Sequence, residues 1–129
     1  MNARDYQRMA MRTNDQKSTD RLARFVNEYM AGSIDGYDFG GIINGVLGLT
    51  GEAGEFSDMI KKWMFHEKPL DIEHAQKELG DVMWYIALIC ESFDWSLEEI
   101  MGLNIDKLMK RYPDGFDTTL ANNRKEGDV

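Results

Sequence analysis

The order of apolar and polar residues along the chain predicts helices rather than strands. Apolar residues recur at helical spacing in five segments, and strand-like alternation is scarce. We predict helices over residues 2–12, 19–30, 42–65, 71–93 and 96–112. Residues 31–41 hold four glycines and two aspartates, and this composition indicates a flexible connector. The expected fold class is therefore all-α.

Residues with cap preferences support these boundaries. Thr19, Asp71 and Ser96 each precede an apolar-periodic segment, where their side chains can accept a backbone N–H. Glu99 stands three residues after Ser96 and completes a capping-box pattern. Pro69 prevents the third predicted helix from running on into the fourth.

Length and composition favour one domain with its own core. The chain has 129 residues, of which 43% are hydrophobic, and one domain is the usual outcome at this length. We expect residues 1–129 to form a single helical domain with a core at about 41–116. Residues 118–129 are polar, and we expect them to fray.

The net charge and the single cysteine indicate which binding partners and which cellular compartment to expect. The formal net charge of −8 argues against nucleic acid or an anionic membrane as partner, since both attract basic surfaces. Cys90 has no internal disulfide partner and is expected to fill core. No signal peptide and no apolar run of about 20 residues is found, so we expect a cytoplasmic protein.

Two pairs of acidic residues carry the candidate chemistry. Glu52 with Glu55, and Glu78 with Asp81, are each spaced i, i+3, which puts both members on one helix face. If the two helices pack antiparallel, four carboxylates converge and repel one another. A hard divalent cation such as Mg²⁺, or Mn²⁺ in its place, relieves that repulsion. Solvated surface acids are the alternative, but the neighbouring residues are mostly small or apolar.

The histidines do not fit a di-iron centre. Such helical bundles use Glu-x-x-His pairs, and neither His66 nor His74 stands three residues after a glutamate. We expect His66 to lie in a loop and His74 on a solvated helix face. A ligand set made only of oxygen atoms favours Mg²⁺ or Mn²⁺ over iron or zinc.

Cations near the acids could hold a phosphate chain. Lys61 and Lys62 follow Glu55 within two helical turns. Asn104, Lys107 and Arg111 share one face of the last predicted helix. Lysines on exposed helices are common, so an ordinary solvated role stays open for each of these residues.

Three stretches resemble a known family closely. They are residues 48–55 (GLTGEAGE), 77–85 (KELGDVMWY) and 104–116 (NIDKLMKRYPDGF). With its Glu-x-x-Glu, spacer and Glu-x-x-Asp, the chain resembles a MazG-type nucleotide pyrophosphohydrolase of the all-α NTP pyrophosphatase superfamily. The resemblance covers about residues 41–116, and residues 5–13 are similar to small phage and bacterial members.

The resemblance implies a fold and a reaction. The fold is a MazG-type helical bundle whose core is completed by dimerisation, as a homodimer or homotetramer. The reaction is Mg²⁺-dependent hydrolysis of a (deoxy)nucleoside triphosphate to the monophosphate and pyrophosphate, and we expect a role in cleaning the nucleotide pool. Two alternatives stay open, a phosphoribosyl-ATP pyrophosphohydrolase and a non-catalytic helical dimer that binds metal or nucleotide.

The resemblance also implies roles for individual residues. The metal ligands are expected to be Glu52, Glu55, Glu78 and Asp81. The expected substrate contacts come from Lys107 and Arg111, and less strongly from Asn104, Lys61 and Lys62. Two further positions match contacts to the sugar or the base, namely Tyr85 and Asn44. For catalysis, we expect Glu52 or Glu55 to accept the proton of the attacking water.

Overall fold

The computed structural model describes residues 1–32 and 36–124, and within these ranges the chain is helical without strands. The helices are α1 (Ala3–Ala10), α2 (Ser18–Met30), α3 (Phe39–Phe65), α4 (Ile72–Ser92), α5 (Leu97–Arg111) and α6 (Thr118–Asn122). A 3-10 turn, Met11–Thr13, follows α1. The predicted all-α fold class is confirmed.

The chain divides into two compact units, Met1–Tyr37 and Asp38–Val129. The first unit contains α1 and α2. Asn2 caps α1 by accepting a hydrogen bond of 2.8 Å from the backbone N–H of Asp5. The second unit contains α3 to α6. The expectation of a single domain over 1–129 stays a prediction.

Two of the three predicted caps are confirmed. The side chain of Asp71 accepts a 3.0 Å hydrogen bond from the backbone N–H of His74, and that of Ser96 accepts one of 3.2 Å from Glu99. The cap at Thr19 is wrong. Helix α2 begins at Ser18 and its N-cap residue, Lys17, makes no side-chain cap bond.

The third helix begins three residues earlier than predicted. The Asp38 side chain accepts a 3.0 Å hydrogen bond from the backbone N–H of Gly41, so α3 starts at Phe39 within the expected connector. The Asp38 N–H also donates to the Ser92 carbonyl at 2.9 Å and ties the start of α3 to the end of α4. Residues 33–35 of the expected connector lie outside the described residues.

The expected fraying after Thr118 is wrong for the first residues of the tail. Asp117 accepts a 2.9 Å hydrogen bond from the backbone N–H of Leu120, and this cap starts the short helix α6. Residues 125–129 of the tail lie outside the described residues.

Helices α3 and α4 pack antiparallel. Gly41 lies against Ser92, Gly45 against Ile89, and Gly48 against Tyr85, so the numbers rise along one helix as they fall along the other. The short connection over residues 66–71 returns the chain directly. Because the pairs recur at intervals of three and four, one continuous face of each helix meets the other.

Two glycines allow the close approach of these helices. A Cβ at Gly45 would lie 2.5 Å from Ile89 Cγ1, and a Cβ at Gly48 would overlap the Tyr85 ring. At either position, a side-chain carbon would be closer to its neighbour on α4 than van der Waals contact allows. Cys90 is buried in α4, as predicted. The tightest packing of the second unit therefore lies between α3 and α4.

Helix α5 exposes most of its length. All of its residues are exposed except Ile100 and Arg111, which are half-buried. Large apolar side chains, including Met101, Ile105 and Leu108, face solvent in the single chain. In the described part of the chain, no helix has the length and apolar character needed to cross a membrane.

Gly48→Ala should destabilise the protein, because its new methyl group meets the Tyr85 ring. Overpacking of this kind costs about 1–3 kcal/mol, which outweighs the gain of about 1 kcal/mol from replacing a helical glycine by alanine. Gly51→Ala is the matched control, because no atom of the described part of the chain beyond its own helix backbone and chain neighbours lies within 4 Å of a Cβ there. Chemical denaturation compares the free energies of unfolding. Equal stability of the two variants would contradict the close approach.

Candidate metal centre

Three carboxylates meet where the α3–α4 contact continues beyond Gly48. Glu52 and Glu55 follow Gly48 at the next two positions of the contacting face, and Glu78 occupies the matching position on α4. Each of the three offers an oxygen, and these oxygens all lie within 4.8 Å of one another. The spacing therefore brings together three of the four acids predicted to ligate a metal.

The fourth predicted ligand, Asp81, does not belong to this group. Its side chain is exposed, whereas the next residue, Val82, is half-buried. The α4 residues shown to meet α3 are Ser92, Ile89, Tyr85 and Glu78, and Asp81 is not one of them. Its negative charge still acts on Glu52, as the pKa of that group shows.

Glu78 is the most unusual member of the group, because it is an acid with only 8% of its surface exposed. One carboxylate oxygen, Oε1, lies 2.7 Å from Nε2 of His74. The other oxygen, Oε2, is buried and has no hydrogen-bond partner among the residues that the structure describes. Leaving a buried polar group unsatisfied costs about 1–3 kcal/mol, and more for a charged one. A cation between the carboxylates would satisfy this oxygen.

The electrostatics of the group are also unfavourable without a cation. The pKa of Glu52 is raised above its ordinary value, first by desolvation and then by the negative charges of Glu55, Asp81 and Glu78. Like charges and desolvation both disfavour the ionised carboxylate, so the group as a whole favours a bound positive charge.

A cavity of about 590 Å³ opens beside the carboxylates. It lies between the second half of α3, the connection after α3 and the first turns of α4. Its lining residues are Gly51, Gly54, Glu55, Asp58, Met59, Lys62, Lys68, Pro69, Leu70, Asp71, His74 and Glu78. Glu52 is not among them. The cavity has the size of a small-molecule site.

The cavity also carries cations. Lys62 and Lys68 both line it, and the ammonium group of Lys62 is paired with the Asp58 carboxylate. The hydrogen bond from Lys62 is the main cause that lowers the pKa of Asp58, and desolvation partly opposes it. The wall therefore presents positive charge within the same cavity as Glu55 and Glu78.

Sequence reasoning missed His74 and Lys68. The prediction that His74 lies on a solvated helix face is confirmed, since 56% of its side chain is exposed, but its Nε2 also contacts Glu78. The spacing His74-x-x-x-Glu78 was a usable signal, since residues four apart on a helix are neighbours. Lys68 lies in the connection between two helices, where no helical periodicity indicates which way a side chain points.

The predicted substrate residues on α3 and α4 have different surroundings. Asn44 is exposed, and Lys61 is exposed and lies 3.3 Å from Asp58. Tyr85 is half-buried, packs against Gly48 and makes an edge contact with the Trp84 ring. Of the predicted substrate residues in these two helices, only Lys62 lines the cavity.

The three predicted substrate residues on α5 do not line the cavity. Asn104 and Lys107 are exposed. Arg111 is half-buried, with its guanidinium carbon 6.0 Å from the centre of the Tyr112 ring. Their roles stay predictions.

Glu52→Gln should stabilise the metal-free protein at neutral pH. A carboxyl whose folded pKa is raised gives stability that is fully present below its unfolded pKa and lost as pH rises through the folded pKa. Glutamine does not suffer that loss. We expect equal thermal midpoints of wild type and variant near pH 4, and a higher midpoint for the variant at pH 7, both with a chelator present. A lower midpoint for the variant at pH 7 would contradict the repulsion.

Comparison with known proteins identifies the family. Residues 44–116, more than half of the chain, match the family model of the MazG nucleotide pyrophosphohydrolase domain. The chain is also similar to the Gene 37 protein of Mycobacterium phage L5, with 33% identity over 98 residues that cover 73% of this chain and 84% of the phage protein. No solved structure matches significantly. The chain belongs to the MazG nucleotide pyrophosphohydrolase family.

Proposed function

We propose that the protein is a Mg²⁺-dependent hydrolase of nucleoside triphosphates. Water adds at the α-phosphorus, the α–β phosphoanhydride bond breaks, and the products are a (deoxy)nucleoside monophosphate and pyrophosphate. The observation that carries the proposal is the buried Glu78 carboxylate beside a cavity. Its Oε2 has no hydrogen-bond partner among the described residues, and one of its oxygens lies within 4.8 Å of oxygens of two further carboxylates. Family membership supports the same reaction class. Removal of unwanted nucleotides from the pool is the proposed role.

The donor set fits a hard divalent ion. Glu52, Glu55 and Glu78 offer only oxygen atoms, which Mg²⁺ and Mn²⁺ prefer, and we include Asp81 as a fourth ligand. A bound Mg²⁺ would supply positive charge to the phosphate oxygens and lower the pKa of a bound water.

Glu55 is the better of the two candidates for accepting the proton of the water. It lines the cavity that a substrate would enter, whereas Glu52 does not. A general base must lie within hydrogen-bond reach of the proton that it removes. Glu52 would then serve mainly to hold the ion, together with Glu78.

The phosphate chain would meet the lysines of the cavity. Lys62 and Lys68 line the same cavity as Glu55, so they are suited to neutralise the β- and γ-phosphates and the departing pyrophosphate. The Lys62 ammonium is shared with Asp58, and a phosphate oxygen would compete with that carboxylate. Lys61, which pairs with Asp58 but does not line the cavity, is proposed as a weaker contributor.

Assembly of copies would complete the substrate site. The exposed apolar residues of α5 support burial against a second copy, in a homodimer or homotetramer. In that assembly we propose that Lys107, Arg111 and Asn104 contact substrate. Tyr85 and Asn44 are the proposed contacts to sugar or base. Light scattering of the full chain tests the assembly, and a monomer at micromolar concentration would exclude it.

Glu78→Ala should abolish Mg²⁺-dependent release of pyrophosphate. The variant removes a ligand of an ion that contributes several kcal/mol to transition-state stabilisation, so we expect a loss of at least about 100-fold in kcat/KM. Glu73→Ala is the matched control, because Glu73 lies on the same helix with its side chain 78% exposed. Its activity should equal that of wild type.

The assay should use a panel of common and modified triphosphates and phosphoribosyl-ATP, with Mg²⁺ and with Mn²⁺. Hydrolysis in ¹⁸O-labelled water identifies the bond, because attack at the α-phosphorus places the label in the monophosphate. Label in pyrophosphate, or an unchanged rate in Glu78→Ala, would contradict the proposed reaction. Exclusive hydrolysis of phosphoribosyl-ATP would favour the alternative enzyme, and no hydrolysis at all would favour a binding protein.

A further inference from the structure

We propose that His74 is a positioning residue for Glu78, which it holds in the orientation that binds the metal. The inference rests on the proposed metal site. It concerns a side chain outside the carboxylate group itself, since His74 is not among the residues whose ligand atoms converge.

The ionised form of Glu78 defines one direction for the hydrogen bond with His74. His74 Nε2 lies 2.7 Å from Glu78 Oε1. An ionised carboxylate can only accept hydrogen bonds, so the imidazole carries the hydrogen on Nε2 and donates it. Asp71, whose side chain caps the backbone N–H of His74 at 3.0 Å, fixes the first turn of α4 from which this imidazole extends.

The bond distinguishes the two oxygens of Glu78. Oε1 is engaged by His74, and Oε2 is buried without a partner in residues 1–32 and 36–124. The terminal torsion of a glutamate side chain has a broad preference, so an unheld carboxylate could turn either oxygen toward the neighbouring acids. The hydrogen bond removes that freedom before an ion binds. Outer contacts of this type orient ligands and commonly change metal affinity by about 10–100-fold.

A second pair on the same helix shows that this contact is more than ordinary helix surface. Lys77 Nζ lies 2.7 Å from Glu73 Oε1, with the same spacing of four residues. Both of those side chains are largely exposed, at 68% and 78%. The Glu78 side chain, by contrast, is only 10% exposed. The two pairs share spacing and distance but differ in burial and in their position relative to the cavity.

The experiment measures Mn²⁺ binding to the full chain without nucleotide, by the loss of the electron paramagnetic resonance signal of free Mn²⁺. His74→Ala and His74→Met both remove the donor, the second with a longer side chain. His74→Gln retains an N–H donor at similar reach, and Lys77→Ala is the matched control. Circular dichroism and the thermal midpoint with chelator verify the fold of each variant.

We expect His74→Ala and His74→Met to bind Mn²⁺ about tenfold more weakly than wild type. His74→Gln should bind closer to wild type than to the donor-free variants, and Lys77→Ala should equal wild type. The Mg²⁺ concentration that gives half-maximal hydrolysis should rise in the same order, with activity regained at high Mg²⁺.

Three results would overturn the inference. If wild type binds Mn²⁺ and the donor-free variants bind it equally well, His74 does not position Glu78, and the proposed function is unaffected. If His74→Gln is as weak as His74→Ala, donation of the hydrogen bond is not the cause. If wild type itself binds no Mn²⁺ at millimolar concentration, the metal site and this inference both fail.

Discussion

Helices α3 and α4 approach closely because Gly45 and Gly48 present no side chain to Ile89 and Tyr85. This contact sets the antiparallel register, and the register in turn decides which acidic residues meet. Glu52 and Glu55 extend the contacting face of α3, so packing of neutral residues forces charged residues together one turn further on. The favourable contact between the helices thereby offsets the repulsion among the carboxylates, which by itself would separate them.

Local interactions explain why most of the helices could be predicted. The cap hydrogen bonds of Asp71 and Ser96 each join residues that are three apart in the sequence. The sequence around each cap is therefore enough to predict it. The start of α3 was missed for a related reason. The cap at Asp38 is equally local, but the surrounding glycines indicated a connector, and the helical contact with α4 outweighed their intrinsic preference.

The site could not be predicted from the sequence where the position of a side chain depends on packing against other helices. An i, i+3 spacing places two residues on roughly one face, but Asp81 is exposed and its oxygens do not join those of the other three acids. Ligand spacing does not reveal His74, because His74 contacts a predicted ligand and is not one of the converging residues itself. For Lys107 and Arg111, periodicity identifies a shared face of α5 but not the surface that this face meets.

The three converging carboxylates belong to residues in the interior of long helices, at least six residues from either end of α4 or α3. Their main-chain atoms are fixed by hydrogen bonds on both sides, so the conformational entropy of ordering this scaffold is lost when the chain folds. Binding of the metal ion then rearranges side chains and water but involves no folding of the main chain. Its heat-capacity change should accordingly be small, unlike that of a segment that folds around its ligand.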